Sequence, residues 1–335
     1  MKIVLRAIFC VVILCTVCSS ALAQKNRAKI EILPPKGYQQ PLMNHSPGLE
    51  AMLKEAVGVL LNPGSGKNFK AEEIAATLID LRDRKNLNWA NVQGEKPIYP
   101  ASVVKMFYMA ALERQLEDGK VMLTPELSRG LKDMIVDSSN EATQYILDVL
   151  TDTSSGTELP RKQFDQWQYQ RNRVNRFFSS MGYTNSNINQ KTFCEDAYGI
   201  EQQSRNYKGQ NRNMITTNAT ARLLAEIVLG RMNTPERTAT MMGLLKRDPF
   251  LPSSDQDNQA VGFTGKALID AKLTNTKLWS KAGWTSKARH DAAYIETLSG
   301  LKFVLVVYTE NHASDRDAIP LIAGKILQRM KELTK

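Results

Sequence analysis

Apolar residues recur at helical spacing in residues 48–61, "GLEAMLKEAVGVLL", where Leu49, Leu53, Val57 and Leu60 would line one helical face. The pattern then changes to strands. Ile74 to Leu81 and Leu87 to Val92 read as a hairpin around the charged turn "RDRKN", and Pro100 ends the extended segment. From 101 to 270 the chain reads mostly helical. One helix is expected through "LSRGLKDMIVDSSNEATQYILDVLT" and another through "NMITTNATARLLAEIVLG", with Thr216 or Thr217 as its N-cap. Strand character returns in "TKLWSKAGWTS", "HDAAYIETLS" and "LKFVLVVYTE", the last two joined at Ser299-Gly300 as a hairpin. The chain closes on a helix whose stripe is Ile322, Ile326, Met330 and Leu333.

This order predicts an α/β (α+β) fold: a five-stranded antiparallel sheet flanked by N- and C-terminal helices, with an inserted helical lobe. Residues 48–100 and 271–335 would form the sheet lobe of one catalytic domain and 101–270 the helical lobe. Sites in such chains fall in the cleft between lobes. Residues 24–47, rich in proline, lysine and polar residues, read as a surface-lying lead-in. "PGSGK" reads as a turn, because Leu61 stands where a phosphate loop needs its first glycine.

The first 23 residues have the layout of a secretory signal peptide: Lys2 and Arg6, an apolar run from Ala7 to Val17, then Ala21-Leu22-Ala23. Export to the periplasm or medium is expected, with a mature start near Gln24 and no membrane span thereafter. Lipid anchoring at Cys18 is the weaker alternative. Cys10, Cys15 and Cys18 leave with the signal, so Cys194 remains alone and no internal disulfide can form. With two acids beside it and no histidine, Cys194 does not read as a nucleophile. At 42% apolar and 23% charged, the 335 residues are those of an ordinary globular protein. The net charge of +10 is spread along the chain rather than gathered in a tract, which argues against nucleic-acid binding.

Three polar groupings interrupt this background. In "YPASVVKMFYMAALERQ", Ser102 and Lys105 lie three residues apart on one helical face among Val103, Val104, Met106 and Phe107. A desolvated lysine can take a serine's proton, although S-x-x-K alone is a common chance match. "MIVDSSNEAT" sets Ser138, Ser139 and Asn140 inside an apolar stretch, where a local turn would aim a hydroxyl and an amide at the cleft. "WSKAGWTS" puts Lys281 on a strand, with Gly283 letting a substrate backbone lie close.

In the order S-x-x-K, S-x-N, K-x-G, the chain resembles the penicillin-recognising serine hydrolases, the superfamily of class A β-lactamases and D,D-peptidases. "PASVVKMF", "MIVDSSNEAT" and "ITTNATARLL" are similar to the corresponding class A helices, and the resemblance runs over about residues 48–334. It implies that Ser102 is the acylated nucleophile and Lys105 its base. Ser138 would relay a proton to the leaving nitrogen, and Asn140 would hold the lysine or the substrate amide. Lys281 would face the substrate carboxylate, and the oxyanion hole would combine the N–H groups of Ser102 and Trp284 beside Gly283. No metal or cofactor is implied. The partner is a small β-lactam or a peptidoglycan peptide, and a monomer is expected.

The chain departs from the family at three places. The gap between the first and second motifs is shorter than in typical class A enzymes, which implies a trimmed or rerouted helical lobe there. Ala282 stands where the third motif usually carries Thr or Ser, with Ser280, Thr285 or Ser286 as nearby hydroxyls. The Glu-x-x-Leu-Asn loop, whose glutamate activates the deacylating water, is absent, and its stretch offers only Glu195 and Glu201. A triad of Ser102 with His290 and Asp291 is disfavoured, since adjacent strand residues point to opposite faces. His45 and His312 lack partners at metal-ligand spacing. Three functions therefore stand: an exported β-lactam-hydrolysing enzyme, a D,D-peptidase or esterase, and a catalytically weak envelope-binding homologue.

Overall fold

The computed structural model describes residues 31–332; the expected signal peptide and Leu333 lie outside them. Along the chain run β1 (Met43–His45), α1 (Pro47–Leu61), β2 (Ile74–Asp80) and β3 (Leu87–Val92). A helical stretch follows: α2 (Val104–Glu117), α3 (Pro125–Lys132), α4 (Asn140–Thr151), α5 (Arg161–Arg171) and α6 (Arg173–Ser180). It continues through α7 (Ile200–Arg205), α8 (Thr217–Val228) and α9 (Pro235–Leu245). The chain returns through β4 (Lys246–Arg247), α10 (Thr264–Asp270), β5 (Lys277–Trp284), β6 (Ala288–Glu296), β7 (Lys302–Glu310) and α11 (Ala318–Glu332).

The five expected strands form the antiparallel centre of the sheet, in the order β3-β2-β7-β6-β5. The expectation of a five-stranded, purely antiparallel sheet is corrected at both edges. β1 adds to β3 in parallel register, Met43 opposite Leu87, and β4 adds to β5, Arg247 opposite Leu278. The sheet therefore has seven strands and is mixed. Three and two residues are too short for alternation to register in a sequence.

The central strands are buried on both faces, and their side chains divide by parity. Ala75 and Ile79 of β2 enter one apolar cluster with α2, α4 and α8. Ile74, Ala76 and Leu78 enter another with α1, α10 and α11, including Leu53, Val57, Leu60, Ile322, Ile326 and Met330. α2 is buried from Val104 through Leu116, so it is the axis of its cluster rather than an amphipathic surface helix. Among the described residues, no helix is long and apolar enough to cross a membrane.

Two local expectations are corrected. The lead-in is a fitted strap: Ile32 is buried, and the Tyr38 hydroxyl donates to Glu226 at 2.7 Å while accepting from Arg222. The single helix through 127–151 is broken. α3 passes into a π-helical turn, Asp133–Asp137, and Ser138 adopts a left-handed conformation with φ of 59°. Ser139 then caps α4 by accepting from the Ala142 N–H at 3.0 Å. Serine's competition for backbone hydrogen bonds makes it a poor helix interior and a good cap. Thr216 caps α8 in the same manner.

Candidate active site

Ser102 sits in a single 3-10 turn, Ala101–Val103, that leads into α2. Two neighbours hold this turn against the sheet. His290 of β6 bonds through Nε2 to the Tyr99 carbonyl at 2.9 Å. Gly283 of β5 lies so close that an added Cβ would stand 2.6 Å from the Ser102 nitrogen and 3.0 Å from the Pro100 oxygen. The glycine's space is thus filled by the serine turn, not by a substrate backbone as expected from sequence. Ala101, forced to a φ of 46°, stores local strain next to Ser102.

Lys105, three residues past Ser102 in the first turn of α2, is fully buried. Its Nζ donates to the Ser138 carbonyl, to Asn140 Oδ1 at 2.9 Å and to Ser138 Oγ at 3.3 Å. Burial pushes this amine down to about 7, against the opposing pull of Glu141 and Cys194. Lys281 enters from β5, also fully buried, and donates to Ser138 Oγ at 3.0 Å. Its amine is pushed well below the ordinary lysine range by burial, with Lys105 and Arg247 adding repulsion and Asp291 opposing it. The break at Ser138 is what turns that hydroxyl toward both lysines.

Beyond Ser138 opens a cleft of about 530 Å³ between Arg247, Gln259 and Trp284. The Thr285 N–H donates to the Ala288 carbonyl, and antiparallel alternation then directs the Trp284 N–H away from β6. β4 pairs only with Leu278 and Trp279, so no strand covers this outer edge of β5 beyond Trp279. The Trp284 N–H consequently faces the cleft on the side where Gly283 abuts the Ser102 turn.

The two glutamates of the 189–201 segment are placed differently. Glu195 is exposed. Glu201 is buried, with Arg171 on both oxygens at 2.6 and 2.9 Å, Ser155 at 2.9 Å and Lys191 at 3.3 Å. Burial would raise this carboxyl, but the Arg171 guanidinium and Lys191 hold it below the usual range. Cys194 is exposed, and its Sγ accepts from Asn140 Nδ2 at 3.5 Å, so this thiol lies at the site's rim although nothing in its sequence context suggested it.

His290 and Asp291 do point to opposite faces. The Thr309 N–H donates to His290 Nδ1 at 3.2 Å, and burial lowers the imidazole to about 4, so it is neutral. Asp291 accepts from the Thr264 N–H on the other face. His45 and His312 each meet one glutamate, Glu50 and Glu73.

Solved structures share this fold. A beta-lactamase from Sphaerobacter thermophilus DSM 20745 superposes with a TM-score of 0.55 at 18% identity, over 86% of this chain and 97% of that one. PBP-A gives a TM-score of 0.58 at 15% identity, over 88% and 100%. The TLA-1 extended-spectrum beta-lactamase gives 0.59 at 17% identity, over 86% and 100%. No curated protein sequence matches the chain. Residues 124–330 match the model of the beta-lactamase enzyme family, a span that begins after the Ser102 turn and takes in Ser138, Asn140 and Lys281. With more than half of the chain matched and the fold shared, this protein belongs to the beta-lactamase enzyme family.

Proposed function

We propose that the protein is an exported active-site-serine hydrolase of the class A type that opens β-lactam amides through an acyl-enzyme at Ser102. The observation that carries this reading is the convergence of Lys105 and Lys281 on the Ser138 hydroxyl beside the serine turn. Lys105, with its amine near 7, is half neutral at physiological pH and able to accept the Ser102 proton. As Ser102 Oγ bonds to the lactam carbonyl carbon, the carbonyl oxygen gains negative charge opposite the Ser102 and Trp284 N–H groups. The C–N bond then breaks, and Ser138 hands its proton to the departing nitrogen while recovering one from the Lys105 ammonium. Lys281, when protonated, sets positive charge behind Ser138 for a substrate carboxylate, a role the absent hydroxyl at Ala282 cannot share. Water finally cleaves the ester and releases Ser102.

A second reading, a D,D-peptidase or esterase in which β-lactams act as slow substrates, is favoured by one observation. Arg171 engages both oxygens of Glu201, and Ser155 and Lys191 crowd Oε1, so this carboxylate is spent on a buried ion cluster rather than offered to a deacylating water. The two readings part on the fate of the acyl group. Incubation with a penicillin and, separately, with a D-alanyl-D-alanine peptide should be followed by product analysis. Rapid release of penicilloate supports β-lactam hydrolysis. A penicillin adduct that outlasts peptide turnover supports the peptidase, and turnover of neither with no adduct contradicts both.

A further inference from the structure

The segment between β4 and α10 is folded tightly around one inward side chain. Gly262 could carry no Cβ, which would stand 2.1 Å from the Gln256 carbonyl oxygen, and Gly265 is similarly closed by the Ala260 oxygen at 1.7 Å. Buried Arg289 of β6 pins the segment, donating to Asp257 at 2.8 Å and to the Gly262 carbonyl at 2.6 Å. Arg316 grips Asp257 from the other side. The product of this bracing is a buried carboxamide, that of Gln259.

Gln259 spends both ends of its amide on the site. Its Oε1 accepts from Lys281 Nζ at 2.6 Å and from the Ala282 N–H at 3.2 Å. Its Nε2 donates to the carbonyls of Val136 at 2.8 Å and Ile135 at 3.3 Å, in the π-helical turn that ends at Ser138. The Ala282 N–H lies on the edge of β5 beyond β4, so Gln259 takes the place a strand would have held. The next outward donor, Trp284 N–H, is left free.

We propose that Gln259 is a positioning residue that clamps Lys281 and the free edge of β5 to the turn carrying Ser138. The proposal rests on the reading of Lys281 and Ser138 as parts of the reaction centre. The charged groups acting on Lys281 are Lys105 from α2, Arg247 from β4 and, from the register position opposite Ala282, Asp291 of β6. Two of the three repel an ammonium, and the Gln259 carbonyl is a neutral acceptor that favours keeping the proton. An apolar residue there removes the acceptor, and a carboxylate adds attraction.

The test is a pH titration of ε-13C-lysine NMR signals in the intact protein, with Lys281 assigned through Lys281→Arg. Gln259→Leu should lower the Lys281 midpoint and Gln259→Glu should raise it, each by about one pH unit. The alkaline limb of Ser102 acylation by a penicillin should move in the same two directions. Thermal unfolding shows that each variant is folded, and a merely structural glutamine would change yield or stability without moving either midpoint. Unshifted Lys281 titration in both folded variants overturns the proposal. Opposite shifts in the two variants uphold it even if Ser102 is never acylated in the unmodified protein, a result that would instead remove the hydrolase reading.

Discussion

Lys105 and Lys281 approach one hydroxyl from two walls of the cleft, 3.3 and 3.0 Å from Ser138 Oγ. Two ammonium groups so near each other cannot both stay charged cheaply when buried, and in the proposed reaction the shared Ser138 moves a proton between them and a substrate. Ser138→Ala should therefore slow Ser102 acylation by about 100-fold, within the usual worth of a general acid–base group, while leaving the fold intact. Stopped-flow acylation with a chromogenic cephalosporin checks this, and an unchanged rate would remove Ser138 from the proton path.

Lys105 gives a pH dependence with a defined sign. Because burial lowers its amine to about 7, acylation should rise with pH through 7 as the neutral base forms. Stability moves in the same direction. Between about 7 and the ordinary lysine value near 10.4, the unfolded chain binds a proton that the folded chain does not, so stability increases with pH in that window. Lys105→Met should abolish acylation and raise stability at pH 6 by about 2 kcal/mol, less at pH 9. Denaturant melts at the two pH values measure the difference.

Gly283→Ala drives a Cβ into backbone atoms on the Ser102 turn, at 2.6 and 2.9 Å from the nitrogens of Ser102 and Val103. These atoms cannot rotate away as a flexible side chain would. A loss of about 2 kcal/mol is expected, together with a fall in acylation rate larger than the fall in penicillin affinity, because the Ser102 N–H proposed to face the oxyanion is what shifts. Thermal unfolding and single-turnover kinetics separate the two effects.

Glu201→Gln leaves Arg171 and Lys191 with only Asp148 to balance them, since Asp148 contacts Arg171 at 3.1 Å and Lys191 at 2.6 Å. The expected outcome is a stability loss of about 3 kcal/mol with the lifetime of the penicillin adduct unchanged. A prolonged adduct in a normally stable variant would make Glu201 the deacylation base after all.

The central strands, the flanking helices and the three polar motifs were legible because each is a local pattern: parity for strands, a three-residue offset for Ser102 and Lys105, a serine pair inside an apolar run. The edge strands β1 and β4 were not, since pairing rather than alternation defines them. The break at Ser138 was half legible, as the polar cluster suggested a turn but the run of helix formers around it suggested continuity. Gln259 left no trace, because its role is made of contacts with Lys281, 22 residues on, and with Ile135, 124 residues back. The same holds for Cys194, which reaches Asn140 across 54 residues.

Whether Ser102 is acylated is the claim on which the rest depends. Intact-mass spectrometry of the protein with excess penicillin G, sampled from seconds to hours, reads it directly. A single adduct of the drug's mass on the unmodified protein, absent in Ser102→Ala, is the expected result. No adduct at any time with the drug left unhydrolysed, or an equal adduct in Ser102→Ala, would contradict it.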